Sequence, residues 1–296
     1  MVQAAMIIHT RTRLCDFPST LAVCPSMLNG REVEQIRKQI LAATRSIDSM
    51  GQNEVRQMVY TCGSYVIAGM VSFLRNLADG ISADEKFYTD EKGRSIYAFV
   101  GFVFQAGNQS IPVIDKKVLW GSFKNYMEPV WECTVLETVA SNFADISFQE
   151  TMPTEPTGAE FVSGMTLYAT GPDSKPIYLY WLGQALKGKA VSFCSNITDF
   201  RVLKDKPFRI IATTANIIER IKRETASTRS TNPIDTTNCS VSNSGAYTLS
   251  ADAEKKTLHH AKKPLIGLIS NEKSNKIWII ILVVLFVVIV LSFISK

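Results

Sequence analysis

One string in the chain has residue types and spacing that could hold phosphate: Gly183, Gln184, Ala185, Leu186, Lys187, Gly188 and Lys189. In a phosphate-binding loop the glycines let backbone N–H groups close on the phosphates. The lysine reaches the terminal phosphates, and a hydroxyl immediately after it binds magnesium. Here Ala190 follows, with no oxygen for a metal, and the next residues, AVSFCS, read as a strand where a helix N-terminus should face the phosphates. The string is therefore read as a hairpin turn between two strands, Ile177 to Leu182 before it and Ala190 to Cys194 after it. No cofactor is expected.

Other routes to chemistry are equally thin. A Ser-His-Asp triad would have to draw on His9, because His259 and His260 fall in a polar C-terminal segment, and His9 reads as an ordinary residue of a first strand. The carboxylates Asp84, Glu85, Asp90 and Glu91 crowd one charged stretch and read as a solvated loop. Cys15, Cys24, Cys62, Cys133, Cys194 and Cys239 show neither CxxC nor CxxxC spacing, and no histidine stands at ligand distance from a pair. They read as reduced, buried thiols, so no metal site and no disulfide framework are expected. Neither GxGxxG nor HExxH occurs. On these grounds no catalytic, cofactor-binding or metal-binding residue is assigned, and the chain leans away from an enzyme.

Aromatic residues gather at Trp120, Phe123, Tyr126 and Trp131 and again at Tyr178, Tyr180 and Trp181. Such groups suit binding surfaces, but packing in a core is the expected use. Asn108, Asn196 and Asn238 begin Asn-x-Ser/Thr triplets, which the topology argued below leaves unglycosylated.

The elements that must position these residues follow from periodicity. Residues from Ile8 on alternate as a strand, ended by CDFPS. Val33, Ile36, Ile40, Ala43 and Ile47 recur at helical spacing between Arg31 and Ile47, with Asn29 as N-cap and Gly51 beyond the end, and their narrow stripe predicts packing on a sheet. Val55 to Thr61 and Tyr65 to Val71 could form two strands or one helix; their β-branched and aromatic residues favour strands, and Gly63 and Gly69 favour turns or bulges. SIYAFVGFVF is apolar after Ser95 and predicts a central strand covered on both faces. A helix is predicted from Lys116 to Trp131, weakened by Gly121 and Pro129. Phe161 to Ala169 and Phe208 to Ala212 read as strands, and TTANIIERIKRE as a closing helix. The whole implies an α+β domain over 1–224, a mixed or antiparallel sheet with flanking helices, and TMPTEPTG at 151–158 marks where it could subdivide.

Beyond 224 the composition changes twice. Residues 225–276 form a Ser/Thr-rich and then Lys-rich stretch with too few large apolar residues to offset the entropy of folding, and read as a flexible tether. From Ile277 to Ile294 the chain is uncharged and apolar on all sides, with Trp278 at its start and a length of roughly 27 Å at 1.5 Å per residue, so it reads as one transmembrane helix. Lys255, Lys256, Lys262, Lys263, Lys273 and Lys276 precede the run and only Ser295 and Lys296 follow it, which by the positive-inside rule keeps the N-terminal domain in the cytoplasm. The start, MVQAAMIIHTRTRLC, lacks the pattern of a secretory signal. The expected protein is single-pass and tail-anchored. The formal charge of +5 sits partly beside the membrane, where Lys262, Lys263, Lys273 and Lys276 suit anionic headgroups, and it gives little reason to expect nucleic acid.

The leading functional expectation is thus a cytosolic interaction or sensing domain that recruits a protein or small ligand to a membrane, with a protein partner or homo-oligomer. The alternatives are a membrane-acting effector, such as one of a bacterial defence or toxin system, in which the domain controls assembly of the spans, and a membrane-bound hydrolase or nucleotide-dependent enzyme.

Overall fold

The computed structural model describes residues 2–107, 110–149, 153–171, 173–198 and 205–230, all within one unit spanning 1–235. In chain order the elements are β1 (Val2–Thr10), β2 (Val23–Pro25), α1 (Gly30–Thr44), β3 (Arg56–Cys62), β4 (Tyr65–Phe73), the short α2 (Leu74–Leu77), β5 (Tyr97–Gln105), β6 (Ile111–Pro112), α3 (Lys116–Met127), β7 (Val139–Ser141), β8 (Ala144–Ile146) and β9 (Phe148–Gln149). They continue as β10 (Ala159–Val162), β11 (Met165–Ala169), α4 (Lys175–Leu186), β12 (Ser192–Ser195), β13 (Ile210–Thr213) and α5 (Ala215–Ser230).

One mixed sheet runs β10-β11-β13-β12-β3-β4-β5-β1-β2-β7, with β8 beside β2 on the same edge of β1, while β6 and β9 pair separately. The middle, from β12 through β3, β4 and β5 to β1, is antiparallel throughout. Parallel pairs appear where β13 sits between β11 and β12, and where β2 meets β7. Strands on both sides of 151–158 thus belong to the same sheet. The architecture is an α+β domain with flanking helices.

Alternation along the central strands explains the layering. Val66, Ala68 and Met70 of β4, with Val100, Phe102 and Phe104 of β5, face one core that also holds Leu119 and Phe123 of α3 and Tyr178 and Leu182 of α4. Ile67 and Val71, with Phe99 and Val103, face the other, under Ile36 and Ile40 of α1 and Ile218 and Ile221 of α5. The central strands are covered on both faces, as SIYAFVGFVF implied.

α1 starts at a capping box in which Asn29 accepts from the Glu32 N–H and Glu32 reaches back to the Asn29 N–H. α3 is capped by Asp115, which accepts from the Val118 N–H at 2.8 Å, and passes at Glu128 into a single 3-10 turn containing Pro129.

Four expectations need correction. Gly69 marks neither a turn nor a bulge. It stands in mid-strand opposite Gly101, and a Cβ on it would come within 2.6 Å of the Gly101 Cα, so the pair gives room for the Phe99 ring packed beside both. Phe161 to Ala169 is a hairpin rather than one strand, turning at Ser163 and Gly164 with φ of 52° and 83°, the positive values a two-residue hairpin turn prefers. Ile177 to Leu182 is helical, being the middle of α4. Finally, α5 continues to Ser230, so 225–230 extend the closing helix past the boundary placed at 224.

Among the described residues no helix is long and apolar enough to cross a membrane. The proposed span 277–294 and the tether from 231 onward lie outside the described residues.

Candidate functional site

The string Gly183 to Lys189 is not a hairpin turn. Its first half is the last turn of α4, where Gly183 is buried, and Gly188 follows with φ of 89°, the left-handed conformation that ends many helices. A phosphate would therefore meet the carbonyl end of a helix, which carries partial negative charge. The string thus closes a helix instead of joining two strands.

Nor do the carboxylates form a solvated loop. Asp84 and Asp90 are both buried, at 4% and 7% exposure. Asp84 accepts from Lys124 Nζ at 2.7 Å and from Trp120 Nε1 at 2.9 Å. Burial pushes its carboxyl upward, but these two hydrogen bonds and the nearby ammonium groups outweigh it and hold the group below the usual range. Asp90 accepts from the backbone N–H of Lys92 and of Arg94 and from Arg94 Nε at 2.7 Å, and lies 3.2 Å from Arg11 Nη1. Burial again opposes, and Arg94, Arg11 and Lys92 again prevail, so its carboxyl is also lowered. Glu85 and Glu91 remain exposed. With their carboxyls lowered, both are ionised near neutral pH and have no proton to lend, and the four donors on Asp90 occupy its lone pairs. Among the described residues no group of histidine, cysteine and carboxylate side chains could hold a metal.

His9 is buried on β1, its ring stacked 5.0 Å from Phe17. Burial, with the Arg37 guanidinium nearby, lowers its pKa to about 4. Its Nδ1 has no hydrogen-bond partner among the described residues. Among the described residues no serine or carboxylate is hydrogen-bonded to it as a triad requires, and its lowered pKa makes it neutral at pH 7.

The aromatic residues pack as a core. Trp120, Phe123 and Trp131 surround Phe87 at 4.8 to 6.1 Å between ring centroids, with Tyr126 half-buried beside them. Tyr178 is wholly buried and its hydroxyl pKa is raised by burial. Cys62 and Cys194 are buried, the Cys194 thiol pushed up to about 12 by burial, whereas Cys133 is exposed, contrary to the reading of the cysteines as interior. Asn196 donates to the Val55 carbonyl at 2.8 Å. Asn108, Asn238, Cys239, His259, His260, Lys262, Lys263, Lys273 and Lys276 lie outside the described residues.

What the sequence did not single out is a polar cleft of about 450 Å³ lined by Gln52, Asn53, Arg75, Asn76, Asp79, Gly80 and Lys116. Three separate segments meet there: the loop after α1, the end of β4 with α2, and the first turn of α3. Asn76 is the hub. Its amide nitrogen donates to the Glu54 carbonyl and to Ser72 Oγ, both at 3.0 Å, and its oxygen accepts from Lys116 Nζ at 2.7 Å. Lys116 also faces Asp79 at 3.5 Å. Arg75, itself exposed, has its guanidinium carbon 4.9 Å from the centre of the Tyr88 ring, a cation–π contact. The lining offers two cations, three primary amides and one carboxylate, with no histidine or cysteine. Such a lining can bind and orient a polar ligand. The volume falls in the range of small-molecule sites. No protein family, curated protein or solved structure matches this chain.

Proposed function

We propose that this protein is a sensing or recruitment module held on the cytoplasmic face of a membrane by 277–294, and that its α+β domain takes a small anionic ligand in the cleft formed by Arg75, Asn76 and Lys116. The observation that carries the reading is the cleft itself. Lys116 is fixed by a buried, fully bonded Asn76, and Arg75 makes a cation–π contact with the Tyr88 ring, so two cations, one of them pre-positioned, stand at an open polar site. Lys262, Lys263, Lys273 and Lys276 add attraction to anionic headgroups.

The test is calorimetric titration of the full chain in detergent with inorganic pyrophosphate and with citrate, beside an uncharged sugar of similar size. Both anions are expected to bind in preference to the sugar. Arg75→Ala and Lys116→Ala should each weaken that binding about tenfold, the loss of roughly one charge-assisted hydrogen bond. Unchanged binding in the double variant would remove the cleft from consideration, and recovery of the wild-type chain from the soluble fraction of cells would remove the membrane.

A further inference from the structure

We propose that β10 is the contact through which two copies of this chain pair edge to edge, antiparallel about a twofold axis at Phe161. Among the described residues β10 ends the sheet and is hydrogen-bonded on one side only. Phe161 is 79% exposed, the most exposed large apolar residue among those described.

The backbone points the same way. Phe161 lies opposite Thr166, and the Thr166 N–H donates across to the Arg209 carbonyl, away from β10. Phe161 and Thr166 are therefore a pair that exchanges no backbone bonds, and the Phe161 N–H and C=O face the open edge. Among the described residues no hydrogen bond reaches them.

Exposed edges are normally protected by a charge, a proline or a covering segment. β10 has no proline, and its single charge, Glu160, is ion-paired with Lys222 of α5, which also holds Glu219. Glu160 and Glu219 leave one negative charge over Lys222, and Lys206, whose Nζ donates to the Ser163 carbonyl at the turn, supplies a positive charge beside them, so two copies meet no block of like charge along the strand.

A second copy is the occupant this edge suits. An antiparallel pair centred on Phe161 satisfies both of its backbone groups reciprocally, N–H to carbonyl in each direction, using nothing but the residue itself. It also sets the two phenyl rings opposite each other, where cross-strand aromatic pairs contribute to sheet stability. Beside the strand, a groove of about 250 Å³ lined by Val162, Ser163, Lys222, Thr225 and Ala226 gives the rings somewhere to lie. Four strand residues and one ring bury far less than the roughly 1,600 Å² of an ordinary stable complex. The pairing is thus weak between dilute copies and strong when they are concentrated. Confinement to a membrane supplies that concentration on the reading given above, but the edge geometry does not depend on it.

The experiment uses the full chain reconstituted in lipid vesicles at increasing density, with benzoylphenylalanine placed at position 161 for photo-cross-linking, and self-association followed by energy transfer between labelled copies. Cross-links are expected to join residue 161 to 159–163 of a second copy. Phe161→Lys should raise the dissociation constant at least tenfold without moving the thermal midpoint, since the ring is exposed. Val135→Lys, at another exposed apolar residue, should leave association unchanged. Cross-links confined to 231–276 of the same chain, or to another protein, would overturn the proposal, as would self-association that survives Phe161→Lys. Because the readout is association, failure here leaves the ligand cleft untouched, and loss of ligand binding leaves the pairing untouched.

Discussion

The charged corner at Arg11, Asp90 and Arg94 and the cleft at Arg75, Asn76 and Lys116 use the same residue types to opposite ends. In the corner the carboxylate is buried and receives four donors, two from backbone and two from guanidinium groups. The small cavity there, about 90 Å³, is walled by Arg11, Arg13, Lys92 and Arg94 but also by Asp16, Asp90 and Glu91. Four cations there meet three carboxylates, and two of the four, Arg11 and Arg94, are spent on the buried Asp90. In the cleft the carboxylate, Asp79, is exposed and lies 3.5 Å from Lys116, while the buried polar group is a neutral amide. A buried carboxylate neutralises its cations, whereas a buried amide positions a cation and leaves its charge available. The first arrangement holds the fold together and the second leaves charge for a ligand.

Removing Asp90 attacks that contrast at its strongest point. In Asp90→Ala the Arg11 guanidinium, 9% exposed, keeps only the Ser95 carbonyl and a 4.0 Å approach to Asp16. Breaking a buried pair in this way costs about 3–5 kcal/mol. Urea unfolding of the full chain should show that loss, with Asp16→Ala, at an exposed side chain, costing under about 1 kcal/mol. If Asp90→Ala unfolds at the wild-type midpoint, the corner is not structural.

A change of pH separates the corner from its neighbour His9. The folded pKa of His9, about 4, lies below the 6.5 of an unfolded histidine. As pH falls from 6.5 to 4 the unfolded chain gains a proton that the folded chain refuses, so stability is lost over that window. The total is on the order of 3 kcal/mol at about 1.4 kcal/mol per pH unit. Asp84 and Asp90 are lowered too, and as carboxylates they stabilise above about pH 3.9, losing that contribution only as pH drops through their lower folded values. Glu128 and Glu219, lowered from 4.5, begin to lose theirs only below that pH, so between pH 6.5 and 4.5 the loss belongs to His9. His9→Gln should flatten the unfolding midpoint across that range while wild type declines, and an equal decline in both would refute the assignment.

How much of this was legible depends on how far apart in the chain the partners stand. α1 could be read because its stripe and the Asn29 and Glu32 cap lie within a few turns. β3, β4 and β5 could be read because their β-branched and aromatic runs are contiguous. α4 was misread because Ile177, Tyr178, Tyr180 and Trp181 favour strands by composition, and packing against β3, β4 and β12 overrides that preference. Two local signals pointed the right way: Pro176 in the first turn and Gly188 just past the end. Asp84 and Asp90 looked solvated because their neighbours are charged. Their burial depends on Lys124 and Trp120 in α3 and on Arg11 at the end of β1, pairings that no local pattern carries. The cleft was illegible for the same reason, since Asn76 and Lys116 meet only once α3 has packed beside α2.

The smallest effect belongs to Lys189, and it tests whether geometry or motif decides where an anion binds. By spacing alone Lys189 is the phosphate lysine of the chain and Lys116 is unremarked. By structure Lys189 is exposed, follows the carbonyl end of α4, and has its N–H spent on the Gln184 carbonyl at 3.1 Å, whereas Lys116 begins α3 and is held by Asn76. Helix dipoles favour anions at the N-terminal end and disfavour them at the C-terminal end, each by roughly 0.3–1 kcal/mol at the surface. Lys189→Ala should therefore leave the binding of pyrophosphate and citrate unchanged within error, and stability within about 0.5 kcal/mol, as for most surface substitutions. Lys116→Ala in the same titration should weaken binding. A result with the two reversed would mean that the glycines around Lys189 rearrange on binding, with α4 giving up its last turn, and the cleft would lose its place to the motif.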